Sequence, residues 1–183
     1  MALPDLPADS ELALETPRLV LEPITLAHAA ELQELFSDPE LHRFTPTEVL
    51  VLDQQRILCE RWATRRSPDG NELWLNWVAR HSSTRAVIGH IQVGILDHGV
   101  ATVAYLVARR VQREGLAAEA LRRVIAFLPD LHVTELKAWI DTRNLASIAL
   151  VQRLGFEQVE LVRNAAVVKG TSSDEYVFSR RLP

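Results

Sequence analysis

The amino-acid sequence predicts an α+β (α/β mixed) protein. Its elements run β-α-α-β-β-β-α-β-α-β-β, about seven strands and about four helices. Three observations lead there. Apolar residues recur at helical spacing in the first third. They alternate in strand fashion through the middle third, and a strand–helix–strand unit opens the final third. The 183 residues, 48% apolar and 24% charged, suit one globular domain. Residues 1–14 are expected to be a flexible tail and 15–183 the single domain.

The first strand spans Arg18 to Glu22, closed by Pro23. Thr25 is the N-cap of a helix carrying Ala29, Leu32, Leu35 and Phe36, and Asp38-Pro39 breaks it. Glu40 to Pro46 reads as a loop. A second helix runs from about Leu52 to Arg66 with Leu58 and Trp62 inward, and Ser67-Pro68-Asp69-Gly70 is a turn. Leu73, Leu75, Trp77 and Ala79 mark the second strand. Ala86 to Leu96 is the third, with Gly89 and Gly94 as bulge or close-approach points. After the Asp97-His98-Gly99 turn, Val100 to Val107 is nearly all apolar, as in a strand covered on both faces. Gly115 to Leu128 is a helix, apolar on one face through Ala117, Ala120, Leu121, Val124 and Leu128. Glu135 to Ile140 is a strand, Asn144 to Leu154 a helix ended by Gly155, and Phe156–Val162 and Asp174–Arg180 are the last strands.

Composition excludes several classes. A formal charge of −4 argues against a general nucleic-acid binder. The lone Cys59 excludes an internal disulfide and a cysteine-built metal centre. The six histidines lack close metal-ligand spacing. The first ten residues lack the basic and apolar regions of a signal peptide, and no apolar run approaches the ~20 residues of a membrane span. The expectation is a cytoplasmic protein with no metal and no membrane partner.

Two segments carry chemistry. In the first, a buried strand runs through Ala108-Arg109-Arg110-Val111-Gln112-Arg113-Glu114 into a helix opened by Gly115. A helix N-terminus presents unpaired N–H groups and partial positive charge, and glycine lets an anion approach the backbone. A phosphate site and a plain helix start with solvated arginines both fit this segment. In the second, Asn144, Ser147 and Val151 share one helical stripe. An N-cap for Asn144 and a bond back to the main chain for Ser147 explain each residue alone.

Together the segments resemble the GCN5-related N-acetyltransferase (GNAT) family, in its RimJ/RimL-like branch of ribosomal-protein alanine acetyltransferases. Gln112-x-x-Gly115-x-Ala117 is similar to the family's acyl-CoA pyrophosphate motif, with Ala118-Glu119-Ala120-Leu121 behind it. Asn144-x-x-Ser147 followed by Leu154-Gly155-Phe156 resembles the branch's second motif. Glu15-Thr16-Pro17-Arg18-Leu19-Val20-Leu21 resembles its first strand and Ile88-Gly89 its third. The likeness covers about Glu15 to Arg181.

The resemblance implies a twisted, mixed, largely antiparallel sheet and transfer of an acetyl group from acetyl-CoA, a cosubstrate, to a primary amine by direct attack. It implies cofactor binding by Leu106, Val107, Gln112, Arg113, Gly115, Leu116, Ala117 and Asn144, with an oxyanion-stabilising N–H near Val107. The tyrosine that protonates the thiolate in many members falls at Val151, so Ser147 is expected to guide that proton, with Asn144 beside it. An acid often found three residues before Tyr105 falls at Thr102. Glu72, His90 or Asp141 acting through water are the substitutes, against plain packing for His90 and turn capping for Asp141. Trp62, Trp74 and Trp77 read as core or pocket wall, and Cys59 as buried and inert. Asp38, Glu40, Arg43 and Phe44 read either as acceptor contacts or as an exposed loop. The acceptor is a peptide N-terminus, or else a small amine or antibiotic. A non-catalytic acyl-CoA-binding module is the rival reading, and the oligomeric state, a homodimer included, is open.

Overall fold

The structure is a computed structural model that describes residues 3, 5, 8 and 12–183. Most of the expected tail therefore lies outside the described residues. Its end does not: Leu12 and Leu14 are buried, and the Leu12 carbonyl accepts the Trp77 indole N–H at 2.6 Å.

The strands are β1 (Leu14–Glu15), β2 (Leu19–Pro23), β3 (Leu73–His81), β4 (Val87–Ile95), β5 (Val100–Val107), β6 (Glu135–Asp141), β7 (Glu157–Val168) and β8 (Thr171–Arg181). The helices are α1 (Ala29–Phe36), α2 (Leu52–Ala63), α3 (Leu116–Phe127) and α4 (Leu145–Arg153). Among the described residues, the eight strands form one sheet in the order β1-β2-β3-β4-β5-β6-β8-β7. Every neighbouring pair is antiparallel except β5–β6. The eighth strand is β1, a two-residue edge too short to leave a periodic signal.

Alternation divides the core into two layers. Leu75, Trp77, Ile91, Val103 and Leu136 face Leu121 and Val124 of α3. Val78 and Val87 face Leu32 and Phe36 of α1 and Cys59 of α2. Helix α1 is also tied down electrostatically. The nearly buried Arg80 of β3 donates to Glu22 of β2 at 2.9 Å and to Glu31 of α1 at 2.7 and 2.9 Å.

Two expectations need correction. Strand β5 is not covered on both faces, because Ala104 is exposed and Thr102 and Leu106 are only half-buried. The last strands are also longer than their apolar stretches, meeting in one hairpin that turns at Lys169-Gly170. A bulge at Asn164, φ 51°, interrupts β7, and Asp174 holds it by accepting the Asn164 N–H at 2.9 Å. That bulge breaks the alternation, so the stretch carries no strand signature.

Candidate active site

The site begins where two strands part. Strand β5 stays registered with β4 throughout, from Ala101 opposite Ile95 to Val107 opposite Gly89. It pairs with β6 only at Val100–Glu135, Ala101–Leu136 and Thr102–Lys137. Beyond Thr102 a wedge opens, while β6 continues along β8 to Asp141. The Ala108 N–H donates to the Ile88 carbonyl at 2.8 Å, which turns residue 108 toward β4. Strand alternation then turns Leu106 toward β4 and leaves the N–H groups of Tyr105 and Val107 facing the wedge. Both residues are expected to offer main chain to the carrier; by this alternation the Val107 N–H faces the wedge and the Leu106 N–H faces β4. Leu106 instead adds its side chain to the layer under α1 and α2.

The turn after β5 leaves main-chain N–H groups at the start of α3 without helical partners. Gln112 spends its polar groups internally: Nε2 donates to the Val107 carbonyl at 3.1 Å and its N–H to the Arg109 carbonyl at 3.2 Å. Arg113 and Gly115 both adopt left-handed backbone, φ 69° and 81°. Gly115 caps α3, and the first bond into the helix runs from the Glu119 N–H to the Gly115 carbonyl at 3.0 Å. The N–H groups of Leu116, Ala117 and Ala118 thus have no partner inside the helix. The space over Gly115 is open, since a Cβ there would meet only Arg18 Nη2, at 3.7 Å.

Arg18 is a residue that sequence reasoning placed on a strand without a role. Its Nε pairs with Glu119 Oε2 at 2.7 Å and its Nη1 donates to the Glu114 carbonyl at 3.1 Å. Thr16 Oγ1 and the Arg18 N–H donate to the other oxygen of Glu119. These donors hold the Glu119 carboxyl below its usual range against the opposing effect of burial. No local pattern signals this contact, which spans 101 residues of chain. Arg109 pairs with Asp38 at 3.7 Å and Arg110 donates to the Val87 carbonyl at 2.7 Å, while Arg113 is exposed.

Helix α4 supplies the other wall. Asn144 caps it, its Oδ1 accepting the Ser147 N–H at 3.2 Å. Ser147 is half-buried, whereas Val151 is sealed in the core at 1% exposure. The Tyr105 hydroxyl points across the wedge and makes a long contact, 3.5 Å, to the Ser147 carbonyl. Burial pushes that phenol up to about 12. A small apolar slot of about 10 Å³ lined by Gly89, Tyr105, Val107 and Leu116 lies between β4–β5 and the start of α3. A wider groove of about 440 Å³ runs between α1 and Arg109-Arg110, but it touches neither Val107, Gly115 nor Ser147.

The sheet face on the α1–α2 side borders the same wedge. His90 is buried there, stacked on Trp62 at 4.6 Å, with Phe36 edge-on at 5.8 Å. Its Nε2 lies 3.0 Å from Asn76 Oδ1, and burial pulls the imidazole down to about 4. The packed reading of His90 therefore holds. Asp141 is tied by Arg143 at 2.5–2.9 Å and by Ser173 Oγ at 2.6 Å, and Arg143 above all holds it at about 2. Trp77 is buried, Trp62 and Trp74 are half-buried, and Cys59 is buried. The segment from Asp38 is more ordered than a loop: Asp38 caps a 3-10 turn over Pro39–His42 by accepting the Glu40 N–H at 3.0 Å. Arg43 lies over the Phe44 ring at 5.2 Å. The β7–β8 turn reaches this segment through Lys169 Nζ, which donates to the Thr47 carbonyl at 3.1 Å. No helix among the described residues is long and apolar enough to cross a membrane. Nor does any group of three or more His, Cys, Asp or Glu residues among them suit a metal.

This geometry has relatives. The family model of the acetyltransferase (GNAT) domain matches residues 18–157. The uncharacterized N-acetyltransferase p20 of Bacillus licheniformis is 29% identical over 175 residues, 91% of this chain and 94% of that one. Among solved structures, the ribosomal α-N-protein acetyltransferase RimL, in complex with coenzyme A, superposes with a TM-score of 0.81. It is 15% identical, over 91% of this chain and 96% of that one. The microcin C7 self-immunity acetyltransferase MccE, in complex with acetyl-CoA and AMP, gives 0.78 at 20% identity, over 91% and 94%. The wedge, the open cradle at Gly115 and the unpaired N–H groups fit a thioester carrier with a pyrophosphate. The chain belongs to the GNAT family of N-acetyltransferases, enzymes that use acetyl-CoA as acetyl donor.

Proposed function

We propose that the protein acetylates the α-amine at the N-terminus of a protein or peptide, by direct attack of the amine on the thioester of acetyl-CoA. The observation that carries this reading is the parting of β5 from β6 after Thr102, beside a turn of unpaired N–H groups and an open sheet face. The N–H groups from Arg113 to Ala118 bind the pyrophosphate, aided by the dipole of α3. The main chain of Tyr105 and Val107 pairs with the extended pantetheine arm, as an added strand would. A main-chain N–H near Val107, on the Thr102 side of the wedge, stabilises charge developing on the thioester oxygen, an effect worth a few kcal/mol in a dry site. Asn144 fixes the first turn of α4, and Ser147 passes a proton to the departing sulfur, directly or through water.

The acceptor follows from proton energetics. At pH 7, freeing an α-amine of pKa ~7.8 costs about 1 kcal/mol, and freeing a lysine of pKa ~10.4 costs nearly 5. That cost is the same whichever group takes the proton, so the amine that gives up its proton more easily is favoured. The names of neighbouring structures, RimL among them, point the same way. MccE supports a second reading, a small-molecule amine. The test is thiol release from acetyl-CoA at pH 7 with two matched peptides, one with a free N-terminus and no lysine, the other blocked and carrying one lysine. The free N-terminus is expected to react on the order of 100-fold faster. Equal rates overturn the α-amine reading, and faster turnover of polyamines or aminoglycosides favours the second.

A further inference from the structure

Glu72 lies one residue before β3, and its main chain is fixed on the preceding turn. Its N–H donates to Ser67 Oγ at 3.0 Å and its carbonyl accepts the Ser67 N–H at 2.9 Å. The side chain lies on the sheet face turned toward α1 and α2, where Trp74 Nε1 donates to Oε2 at 2.9 Å. The other oxygen rests over Gly94. A Cβ at Gly94 would fall 2.1 Å from Glu72 Oε1 and 3.2 Å from Thr102 Oγ1. The register puts Trp74, Gly94, Thr102 and Lys137 in one row across β3, β4, β5 and β6. A bare backbone at position 94 therefore lets the carboxylate lie beside Thr102, where the wedge begins to open. One residue pair further along that face, Ala104 is exposed and its register partner Gln92 half-buried, so the face beside Thr102 is open to solvent.

We propose that Glu72 is the general base of the acetyl transfer, reaching the amine through water and standing where β5 itself carries only Thr102. This rests on the acetyltransferase reading above. The acceptor enters as an ammonium ion and Glu72 takes one of its protons. The freed lone pair forms the N–C bond, the C–S bond breaks, and its electron pair leaves on sulfur, which receives the second proton that the acylated nitrogen gives up. Glu72 returns its proton to solvent. The other candidates on this side are committed elsewhere: His90 is enclosed by Trp62, Phe36 and Asn76, and both oxygens of Asp141 are taken by Arg143 and Ser173. Charged groups on the same side of the sheet include Arg61 of α2, stacked over Trp74 at 5.2 Å, Arg65, whose carbonyl accepts the Trp74 N–H at 2.9 Å, and Lys137 of β6, which pairs with Glu135 at 3.5 Å.

The test compares wild type, Glu72→Gln and Gly94→Ala in thiol release with acetyl-CoA and a peptide α-amine from pH 6 to 9.5, with coenzyme A affinity measured alongside by calorimetry. Glutamine keeps an oxygen for Trp74 but cannot take the proton. Alanine at 94 keeps the carboxylate but drives it off the face. Both variants are expected to bind coenzyme A as wild type does and to lose kcat/KM on the order of 100-fold at pH 7. The deficit is expected to shrink toward pH 9.5, where the α-amine is already neutral. Adding Thr102→Glu to Glu72→Gln is expected to restore the neutral-pH rate. Wild-type turnover with both single variants within twofold of it at every pH overturns the role of Glu72 and leaves acetyl transfer standing. Wild type that releases no thiol with any amine overturns the acetyltransferase reading and the base with it.

Discussion

Gly115 is the residue at which backbone conformation and ligand binding separate most cleanly. Its φ of 81° is left-handed, and a side chain there costs roughly 1–2 kcal/mol. No steric collision adds to this, because the nearest atom to a Cβ, Arg18 Nη2, stands 3.7 Å away. In a domain of this size 1 kcal/mol shifts the melting temperature by roughly 2–4 °C. Gly115→Ala is thus expected to melt about 2–8 °C lower. Its methyl group also projects into the space where the backbone would meet a pyrophosphate, so coenzyme A affinity is expected to fall on the order of 10-fold. Gly155→Ala is the control. Gly155 has φ 80° and comparable free space, with Arg180 Nη1 3.8 Å from a Cβ, but it ends α4 instead of opening α3. It should lose similar stability and no affinity. Thermal melts and calorimetric titration with coenzyme A read the two effects apart. Unchanged affinity in a destabilised Gly115→Ala refutes the assignment of the cradle.

Ser147→Ala is expected to lower kcat on the order of 10-fold or more with the KM for acetyl-CoA unmoved, and unchanged turnover removes Ser147 from the proton path. Arg18→Ala removes a partly exposed ion pair, so stability should fall by no more than about 1 kcal/mol, while affinity for coenzyme A drops as the Glu114 carbonyl loses its anchor. His90 gives a pH signature. Its folded pKa of about 4 lies below the ~6.5 of an exposed imidazole, so the unfolded chain binds the proton that the folded chain resists. Stability from this group is full above about pH 6.5 and falls by about 3 kcal/mol toward pH 4. Denaturant melts of His90→Gln should lack that slope.

The elements with a strong local period were legible in the sequence. Strands β3 to β5 and helix α3 appear within a residue or two of where their alternation and spacing put them, and Asn144 and Gly115 cap helices as expected. What escaped depends on contacts across the chain. Strand β1 is two residues long and exists by pairing with β2. The Asn164 bulge conceals the length of β7. Arg18 reaches the α3 cradle, Lys169 reaches Thr47, and Glu72 lies over Gly94, all through tertiary packing. Gly94 carried a trace of its purpose as a glycine inside a strand, but nothing local names the side chain it admits. The exposure of Ala104 was hidden by apolarity itself. A strand beside an open wedge reads as fully covered because its one exposed residue, Ala104, is apolar like its neighbours.

Amide hydrogen exchange with and without coenzyme A tests the central claim most directly. Binding in the wedge is expected to slow exchange from Tyr105 through Ala118 and to leave the β7–β8 hairpin unchanged. Protection confined to other segments, or none at saturating coenzyme A, would contradict a carrier docked between β5 and β6 at the start of α3.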